Sequence, residues 1–305
     1  MGDGNLWVAP GNPGELGCGV DERVSQLIDL ALAEDIGPGD VTSEYFVPAD
    51  REGRAFLVAK SNGVVAGVEA GAEVFRRVDA ETEVSVILQD GSAIAPGAYV
   101  MEIAGKARSL LTAERTAINF VQRLSGIATR TALFVEAIKG TGASIIDTRK
   151  TTPGWRSLEK AAVLAGGGQN HRMGLYDRAM VKDNHLVVEG GVAALRESAL
   201  LMKKDHPGVK VEVEAETLEQ VKMFLGVEEI DYLLLDNMEN EQMKKAVEMR
   251  GDCERPFLEA SGGVTLDTVR GIAETGVEFI SVGGLTHSAV ALDLSLEFIS
   301  GTEQD

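Results

Sequence analysis

The sequence predicts an α/β protein in which a small mixed domain is followed by a parallel sheet covered by helices. Residues 53–104 hold short alternating segments bounded by turn residues. After residue 140, short apolar runs alternate six times with helical stretches. Strands that are apolar throughout and separated by helices are typical of a parallel sheet with covered faces. Six such βα units are visible where a complete barrel has about eight, so an incomplete barrel is expected.

The composition is that of a globular chain with a full-sized core. Of the 305 residues, 44% are hydrophobic and 25% are charged, and the formal net charge is −19. A chain this acidic repels nucleic acid and anionic membranes, so neither is expected as a partner. Two cysteines cannot form a disulfide framework. No apolar run approaches the roughly 18 residues of a membrane-spanning helix, and a cytoplasmic protein is expected.

Residues 1–20 are predicted to form a flexible N-terminal extension. The first nineteen residues carry six glycines, two prolines and no lysine or arginine, which is unlike a signal peptide. A helix is predicted over 21–36, where apolar residues recur at spacings of three and four and the IGPGD segment ends the pattern.

The segments after this helix predict the rest of the N-terminal domain, which is assigned to residues 21–115. AFLVAK and VVAGV flank Ser61-Asn62-Gly63 and predict a hairpin, while TEVSVIL and AYVMEIAG predict further strands. A helix is expected within 69–78. A long helix over 109–138 is expected to be interrupted near Ser125-Gly126, and helices near the C-terminus are expected to pack back on this domain.

Residues 116–305 are assigned to the barrel domain. Its strands are predicted at 143–147, 178–182, 209–214, 231–236, 257–261 and 278–282. Its helices are predicted at 157–165, 189–204, 217–225, 239–250 and 266–275. Thr217 and Gln220 form a capping box at the start of one of them.

Polar residues or glycines stand at the carboxyl end of every predicted barrel strand. Each alone has a common structural explanation as a helix cap or a tight turn, but the carboxyl ends of barrel strands meet at one mouth, where such folds place chemistry. The two glycine pairs come last and lead to helices whose free N–H groups can hold phosphate. The pattern therefore predicts a phosphate-handling barrel. In chain order these residues are Asp147 to Lys150, Lys182, Glu214, Asp236, Ser261 to Gly263, and Gly283 with Gly284.

The charge is unevenly distributed along the chain. Residues 108–182 carry twelve basic and five acidic side chains, whereas residues 212–254 carry thirteen acidic and four basic ones. Two interpretations are open at this point. The charges can lie on solvated helix faces, or they can form a cationic pocket for a polyanion with nearby carboxylates that hold a metal.

The motifs themselves resemble the quinolinate phosphoribosyltransferase family over residues 21–299. The resemblance lies in DTRKTTPGWR (147–156), GGGQNHRMGLYDRAMVKDNH (166–185), VEVEAETLEQ (211–220), LLLDN (233–237), EASGGV (259–264) and SVGGLTHS (281–288), with LAEDIGPGDVTS (32–43) and LLTAERTAINFVQRLSGIAT (110–129) upstream. It implies an α/β sandwich-like N-terminal domain and an incomplete parallel α/β barrel. It also implies a homodimer, or an assembly of dimers, with shared active sites.

The resemblance implies a pentosyltransferase that converts quinolinate and phosphoribosyl pyrophosphate to nicotinate mononucleotide, pyrophosphate and carbon dioxide, a step of de novo NAD synthesis. Magnesium is the implied cofactor, because a hard cation prefers carboxylates, water and substrate oxygens. The pyridine nitrogen becomes quaternary, so the ring itself can accept the electrons released by decarboxylation.

The resemblance also assigns roles to individual residues. Arg149, Arg172 and Lys182, with Arg115 of the partner subunit, are expected to bind the two quinolinate carboxylates, since arginine grips a carboxylate through two parallel hydrogen bonds. His171 is expected either to join these residues in binding the carboxylates or to have a purely structural role. Lys182, Glu214 and Asp236 are the expected catalytic residues, with Glu214 and Asp236 as magnesium ligands. Contacts to the phosphoribosyl donor are expected from Thr148, Lys150, Ser261, Gly262, Gly263, Gly283, Gly284 and Leu285.

Two alternatives remain. A related phosphoribosyltransferase acting on nicotinate or another aromatic acid shares the barrel, but three pocket arginines favour a dicarboxylate. A non-catalytic barrel that binds a phosphorylated metabolite is disfavoured because Lys182, Glu214 and Asp236 are all present. The sequence contains neither a GxGxxG that opens a βαβ unit nor a GxxxxGK[ST], which argues against nicotinamide-dependent dehydrogenases and P-loop NTPases.

Overall fold

A computed structural model describes residues 20–182 and 192–299 of the chain. These residues divide into two compact units. The barrel unit comprises Leu133–Lys150 and Gly168–Gly284, and the N-terminal unit comprises residues 20–132, Thr151–Gly167 and residues 285–299. The predicted extension over 1–20 lies, apart from its last residue, outside the described residues. Across both described ranges, no helix has the length and apolar character needed to cross a membrane.

The helices and strands follow the predicted order closely. The helices are α1 (Glu22–Ile36), α2 (Val41–Phe46), α3 (Val68–Val78), α4 (Ala107–Ala137), α5 (Arg156–Ala165), α6 (Val192–Asp205), α7 (Leu218–Phe224), α8 (Asn240–Arg250), α9 (Val269–Ala273) and α10 (Gly284–His287). The strands are β1 (Glu52–Ala59), β2 (Gly63–Val64), β3 (Glu83–Val86), β4 (Ala93–Ile94), β5 (Tyr99–Lys106), β6 (Ser144–Ile146), β7 (Arg178–Val181), β8 (Lys210–Ala215), β9 (Tyr232–Asp236), β10 (Phe257–Ser261), β11 (Phe279–Ser281) and β12 (Leu294–Phe298).

The N-terminal unit contains a four-stranded antiparallel sheet in the order β12-β1-β5-β3. The predicted hairpin around Ser61-Asn62-Gly63 is wrong. β1 is a central strand whose two edges are taken by β5 and β12, so β2 pairs with β4 in a separate ribbon instead. β12 comes from the end of the chain, so a strand returns to this unit together with most of the short helix α10.

The long helix α4 is continuous, so the predicted interruption at Ser125-Gly126 is also wrong. Ser125 does not interrupt the helix. Its hydroxyl oxygen accepts a hydrogen bond from the Ala66 amide at 2.9 Å. A Cβ at position 126 would lie 2.0 Å from the Val290 carbonyl oxygen. Both residues are therefore contact positions at which another segment of the N-terminal unit approaches the helix closely.

The two units are interleaved along the chain. Residues 116–132, Thr151–Gly167 and residues 285–299 belong to the N-terminal unit, although the sequence assigned them all to the barrel domain. The difference arises because most of α4, α5 and β12 bury their apolar sides within that unit, and a single boundary at 115/116 cannot describe such an arrangement.

The barrel unit is a six-stranded parallel sheet in the order β6-β11-β10-β9-β8-β7. Strands β7 to β11 follow one another in chain order, and β6 lies beside β11. The order is therefore that of a barrel left open between β6 and β7, which confirms the predicted fold class. The predicted capping box also forms, because Thr217 accepts from the Gln220 amide at 3.2 Å and Gln220 accepts from the Thr217 amide at 3.1 Å.

Candidate active site

The carboxyl ends of the barrel strands surround a cavity of about 500 Å³. Strand register brings these ends together, since Ser261 lies opposite Asp236 and Glu214 lies opposite Leu234 on neighbouring strands. Most of the predicted site residues line this one cavity. They are Thr148, Arg149, Lys150, His171, Arg172, Lys182, Glu214, Asp236, Ser261, Gly262 and Gly263.

The remaining predicted residues do not line the cavity. Gly283 lies in the turn between β11 and α10, Gly284 is the first residue of α10, and Leu285 has a fully buried side chain. From this end of the barrel, Ser281 lines the cavity instead. Arg115 is exposed on α4 in the N-terminal unit and also lies outside the set of lining residues.

Positive charge dominates one wall of the cavity. The Arg172 guanidinium donates to the Arg178 carbonyl oxygen at 3.2 Å and contacts the Met180 sulfur at 3.4 Å, neither of which carries a negative charge. Burial lowers the pKa of Arg172, and the nearby charge of Arg149 lowers it further. A wall on which two guanidinium groups repel each other is suited to an anion that neutralises both.

Three carboxylates converge at the carboxyl ends of β8 and β9. Glu214, Glu216 and Asp236 each offer an oxygen, and these oxygens lie within 4.8 Å of one another. Lys182 Nζ donates to Glu214 Oε2 at 2.5 Å, so it already balances part of this charge. Glu216 is an addition to the two predicted metal ligands. Glu214 and Asp236 line the cavity, and an all-oxygen donor set of this kind fits a hard divalent cation.

The glycine loop after β10 packs against the turn after β9. Asn237 donates from its amide nitrogen to Asp236 Oδ2 at 2.8 Å, and its backbone N–H donates to the Ser261 carbonyl at 2.8 Å. Gly262 has a φ of +102°, and a Cβ there would lie 2.1 Å from Asn237 Oδ1. Only glycine suits this position, and the close packing fixes the Asp236 carboxylate relative to the loop.

A cluster of ionisable side chains is buried at the floor of the cavity. His171 Nε2 lies 3.0 Å from Glu212 Oε2 and 3.4 Å from Glu259 Oε2. Arg178 Nη1 lies 3.3 Å from Glu212 Oε2, and its guanidinium stacks 4.2 Å from the centre of the Tyr232 ring. The His171 backbone N–H donates to Asp147 Oδ1 at 2.8 Å, which ties the cluster to the end of β6.

Opposite influences act on the pKa values in this cluster. Burial lowers the pKa of His171, but the charges of Glu259 and Glu212 outweigh it and raise this pKa to about 9. Burial and the neighbouring charge of Glu212 raise the pKa of Glu259. The Arg172 backbone N–H donates to His171 Nδ1 at 2.7 Å. This contact favours the neutral ring, because Nδ1 can accept only when it carries no proton. A proton on Nε2, directed at Glu212, is common to both forms of the ring.

Sequence reasoning missed the members of this floor cluster other than His171. The missed residues are Arg178, Glu212 and Glu259. A signal for two of them was present, because Glu212 and Glu259 interrupt apolar runs that were predicted to be buried strands. A charged residue in the middle of a covered strand is rarely left unpaired. The residues Met180, Leu234 and Asn237 also line the cavity and carried no such signal.

The fold and site together define a barrel enzyme of the phosphoribosyltransferase type, with a cationic wall, a carboxylate cluster and a glycine loop at one mouth. The N-terminal and C-terminal domains of quinolinate phosphoribosyl transferase match residues 40–125 and 127–297, respectively. The chain therefore belongs to the quinolinate phosphoribosyltransferase family. The two family domains meet at residues 125–127.

Similar proteins cover almost the whole chain. The chloroplastic nicotinate-nucleotide pyrophosphorylase [carboxylating] of Arabidopsis thaliana is 44% identical over 89% of this chain and 81% of its own length. The enzyme of the same name from Mycobacterium leprae is 42% identical over 90% of this chain and 97% of its own length. The solved structure of the nicotinate-nucleotide pyrophosphorylase from Francisella tularensis superimposes with a TM-score of 0.83 at 35% identity, covering 91% and 96% of the two chains.

Proposed function

We propose that this protein transfers the phosphoribosyl group of phosphoribosyl pyrophosphate to quinolinate with loss of carbon dioxide, giving nicotinate mononucleotide and pyrophosphate. The observation that carries the proposal is the pairing of Arg149 and Arg172 on one wall of a cavity that also holds Lys182, Glu214 and Asp236. The names of the family and of the relatives above support the same reaction.

The cationic wall suits a dicarboxylate. Two adjacent guanidinium groups can each donate to one carboxylate, whereas nicotinate would leave one of them without an anionic ligand group. An unmatched buried charge of this kind costs about 1–3 kcal/mol of binding free energy. The wall therefore favours quinolinate over a monocarboxylate.

The phosphoribosyl donor is expected between the carboxylate cluster and the glycine loop. Thr148 and Lys150 lie on the same cavity and can contact the donor, and the backbone amides of Ser261, Gly262 and Gly263 are suited to its 5′-phosphate. Glu214 and Asp236, with Glu216 beside them, are the residues that would hold magnesium. When bound there, the ion supplies positive charge to the pyrophosphate oxygens as the leaving group departs.

The protein groups act by holding and orienting the two anions rather than by covalent chemistry. The pyridine nitrogen forms the bond to the anomeric carbon while the bond from that carbon to pyrophosphate breaks. The electron pair of the adjacent carbon–carboxyl bond stays on the ring carbon as carbon dioxide leaves, where the neighbouring quaternary nitrogen stabilises it. A proton then takes the place of the carboxyl group on that ring carbon.

The reaction is tested by incubating the full chain with phosphoribosyl pyrophosphate, magnesium and quinolinate labelled in the carboxyl group next to nitrogen. A parallel incubation uses nicotinate. Labelled carbon dioxide and nicotinate mononucleotide in equal amounts, with no product from nicotinate, are expected. Product from nicotinate alone would overturn the role of the arginine pair, and no product from either acid would favour a non-catalytic binding protein.

The proposal includes a homodimer, or an assembly of dimers, in which the partner's Arg115 reaches the quinolinate site. Arg115 is exposed, and α2 in the same unit exposes an apolar face of Val41, Tyr45 and Phe46, with both aromatic side chains 83% exposed. Light scattering on the purified protein should give at least twice the 32.4 kDa chain mass.

We also propose a cytoplasmic location. Plant relatives carry chloroplastic or mitochondrial names, so cell fractionation is needed to test this location.

A further inference from the structure

The floor cluster contains a carboxylate that touches the binding wall only through other residues. We propose that Glu212 is a positioning residue for the pyridine dicarboxylate, which holds the His171 ring and, through that ring, the backbone that carries Arg172. The inference rests on the proposed function and adds to it a residue that lies beneath the cavity and does not line it.

The contacts form a continuous path from Glu212 to Arg172. Glu212 is fully buried, and its two oxygens lie 3.0 and 3.3 Å from His171 Nε2. On the other side of the ring, Nδ1 accepts the Arg172 backbone N–H at 2.7 Å. Asp147 Oδ1 fixes the His171 backbone at 2.8 Å. The ring therefore spans the gap between a strand of the sheet and the segment that presents Arg172.

The direction of Arg172 depends on this backbone. Its guanidinium contacts only a carbonyl oxygen and a methionine sulfur among the partners described above, and both are weak acceptors compared with a carboxylate. A rotation of the His171 ring would release the Arg172 amide and tilt the guanidinium away from the carboxylate it is to bind. The Nε2–H directed at Glu212 opposes that rotation in the neutral ring, the form whose Nδ1 can accept from the Arg172 amide.

Two other roles for Glu212 fit the structure less well. As a purely stabilising group it would be a poor choice, because apolar residues often replace buried ion pairs without loss of stability. His171, Glu212 and Glu259 could also offer ligand atoms to a metal, since these lie within 4.8 Å of one another. However, Arg178 Nη1 already supplies a positive charge 3.3 Å from Glu212, where a metal would have to compete with it.

The test compares Glu212→Met with Glu212→Gln in the full chain. The methionine removes the nearer acceptor for Nε2–H and leaves only the Glu259 oxygen at 3.4 Å, whereas the glutamine retains an oxygen acceptor of the same shape. In Glu212→Met, KM for quinolinate is expected to rise about ten-fold or more, the change that corresponds to one lost charge-assisted contact. KM for phosphoribosyl pyrophosphate and kcat should stay close to their native values, and Glu212→Gln should recover most of the quinolinate affinity.

A spectroscopic measurement follows the contact without relying on activity. The chain has four histidines, so nitrogen-15 labelling gives few imidazole signals, and His171→Gln identifies the signal of interest by its loss. In the native protein the His171 Nε2–H should exchange slowly and resonate downfield. In Glu212→Met it should move upfield and exchange faster, whereas Glu212→Gln should retain most of the native behaviour.

Matched controls separate positioning from general loss of a buried charge. Glu259→Met removes the neighbouring carboxyl but leaves Nε2 its acceptor at 3.0 Å, so it should raise KM for quinolinate less than Glu212→Met does. Asp231→Asn alters an equally buried carboxylate that contacts Lys203 at 2.9 Å and Arg255 at 2.6 Å, before the start of β9. It should lower stability and leave both KM values unchanged.

The outcomes are distinguishable. Native KM values in Glu212→Met, an equal rise for both substrates, or a glutamine variant no better than the methionine variant would each overturn the positioning role. If Glu212→Met does not fold, the glutamine variant alone decides, because a shifted His171 signal with an unchanged KM for quinolinate would also refute it. Failure of the native protein to turn over quinolinate would instead refute the proposed function.

Discussion

Replacement of Gly262 by alanine should destabilise the glycine loop and impair use of the phosphoribosyl donor. Gly262 has a φ of +102°, a conformation that costs a residue with a side chain about 1–3 kcal/mol. The new methyl group would also lie 2.1 Å from Asn237 Oδ1 and 2.6 Å from its Cγ, so the Asn237 side chain must move. Moving it breaks the 2.8 Å hydrogen bond to Asp236.

The expected loss is about 3 kcal/mol in the free energy of unfolding, from backbone strain together with one exposed hydrogen bond to a charged acceptor. Gly263→Ala is the matched control. Its φ of +58° is also left-handed, but nothing lies within 4 Å of the added Cβ. Strain alone should therefore cost it about 1 kcal/mol.

Urea denaturation followed by circular dichroism measures both losses, and steady-state kinetics measures KM for each substrate. Gly262→Ala should raise KM for phosphoribosyl pyrophosphate more than KM for quinolinate, because the displaced groups lie on the donor side. Adding Asn237→Gly to Gly262→Ala removes the two nearest clashing atoms but restores neither the relaxed backbone at 262 nor the hydrogen bond to Asp236, so the double variant should remain less stable than the native protein. Equal stability of the two alanine variants would refute the packing argument.

Three further predictions concern other parts of the chain. Lys182→Ala should reduce kcat by about 100-fold or more while leaving the thermal midpoint near native, since its side chain is 47% exposed; near-normal turnover would remove it from the site. Arg115→Ala should be inactive, and mixing it with Lys182→Ala should regenerate some activity in hybrid dimers; no recovery after proven subunit exchange would contradict a shared site. Asp231→Asn should lower the free energy of unfolding by about 2 kcal/mol, because it weakens pairs with Lys203 and Arg255, and a native urea midpoint would contradict this.

The sequence determined the barrel and most of its mouth. Buried parallel strands are mostly apolar along their length, so all six could be located within one or two residues of their observed ends. Because carboxyl ends of such strands share one edge, polar residues that follow them could be assigned to one cavity without knowledge of the register. This reasoning placed Arg149, Lys182, Glu214 and Asp236 correctly on the cavity, whereas Arg172 was assigned to it by the family resemblance.

The tertiary structure decided what depends on contacts between distant segments. β12 occupies the edge of β1 that a local hairpin was expected to fill, and Gly126 accommodates the Val290 carbonyl rather than ending a helix. Likewise, Glu212 and Glu259 have no sequence neighbours that explain a buried charge, and only the packed strands bring His171 and Arg178 to them. The local spacing of apolar residues indicates which face of a helix or strand is buried. The segment that covers that face is set by pairing between distant parts of the chain, and local sequence does not specify it.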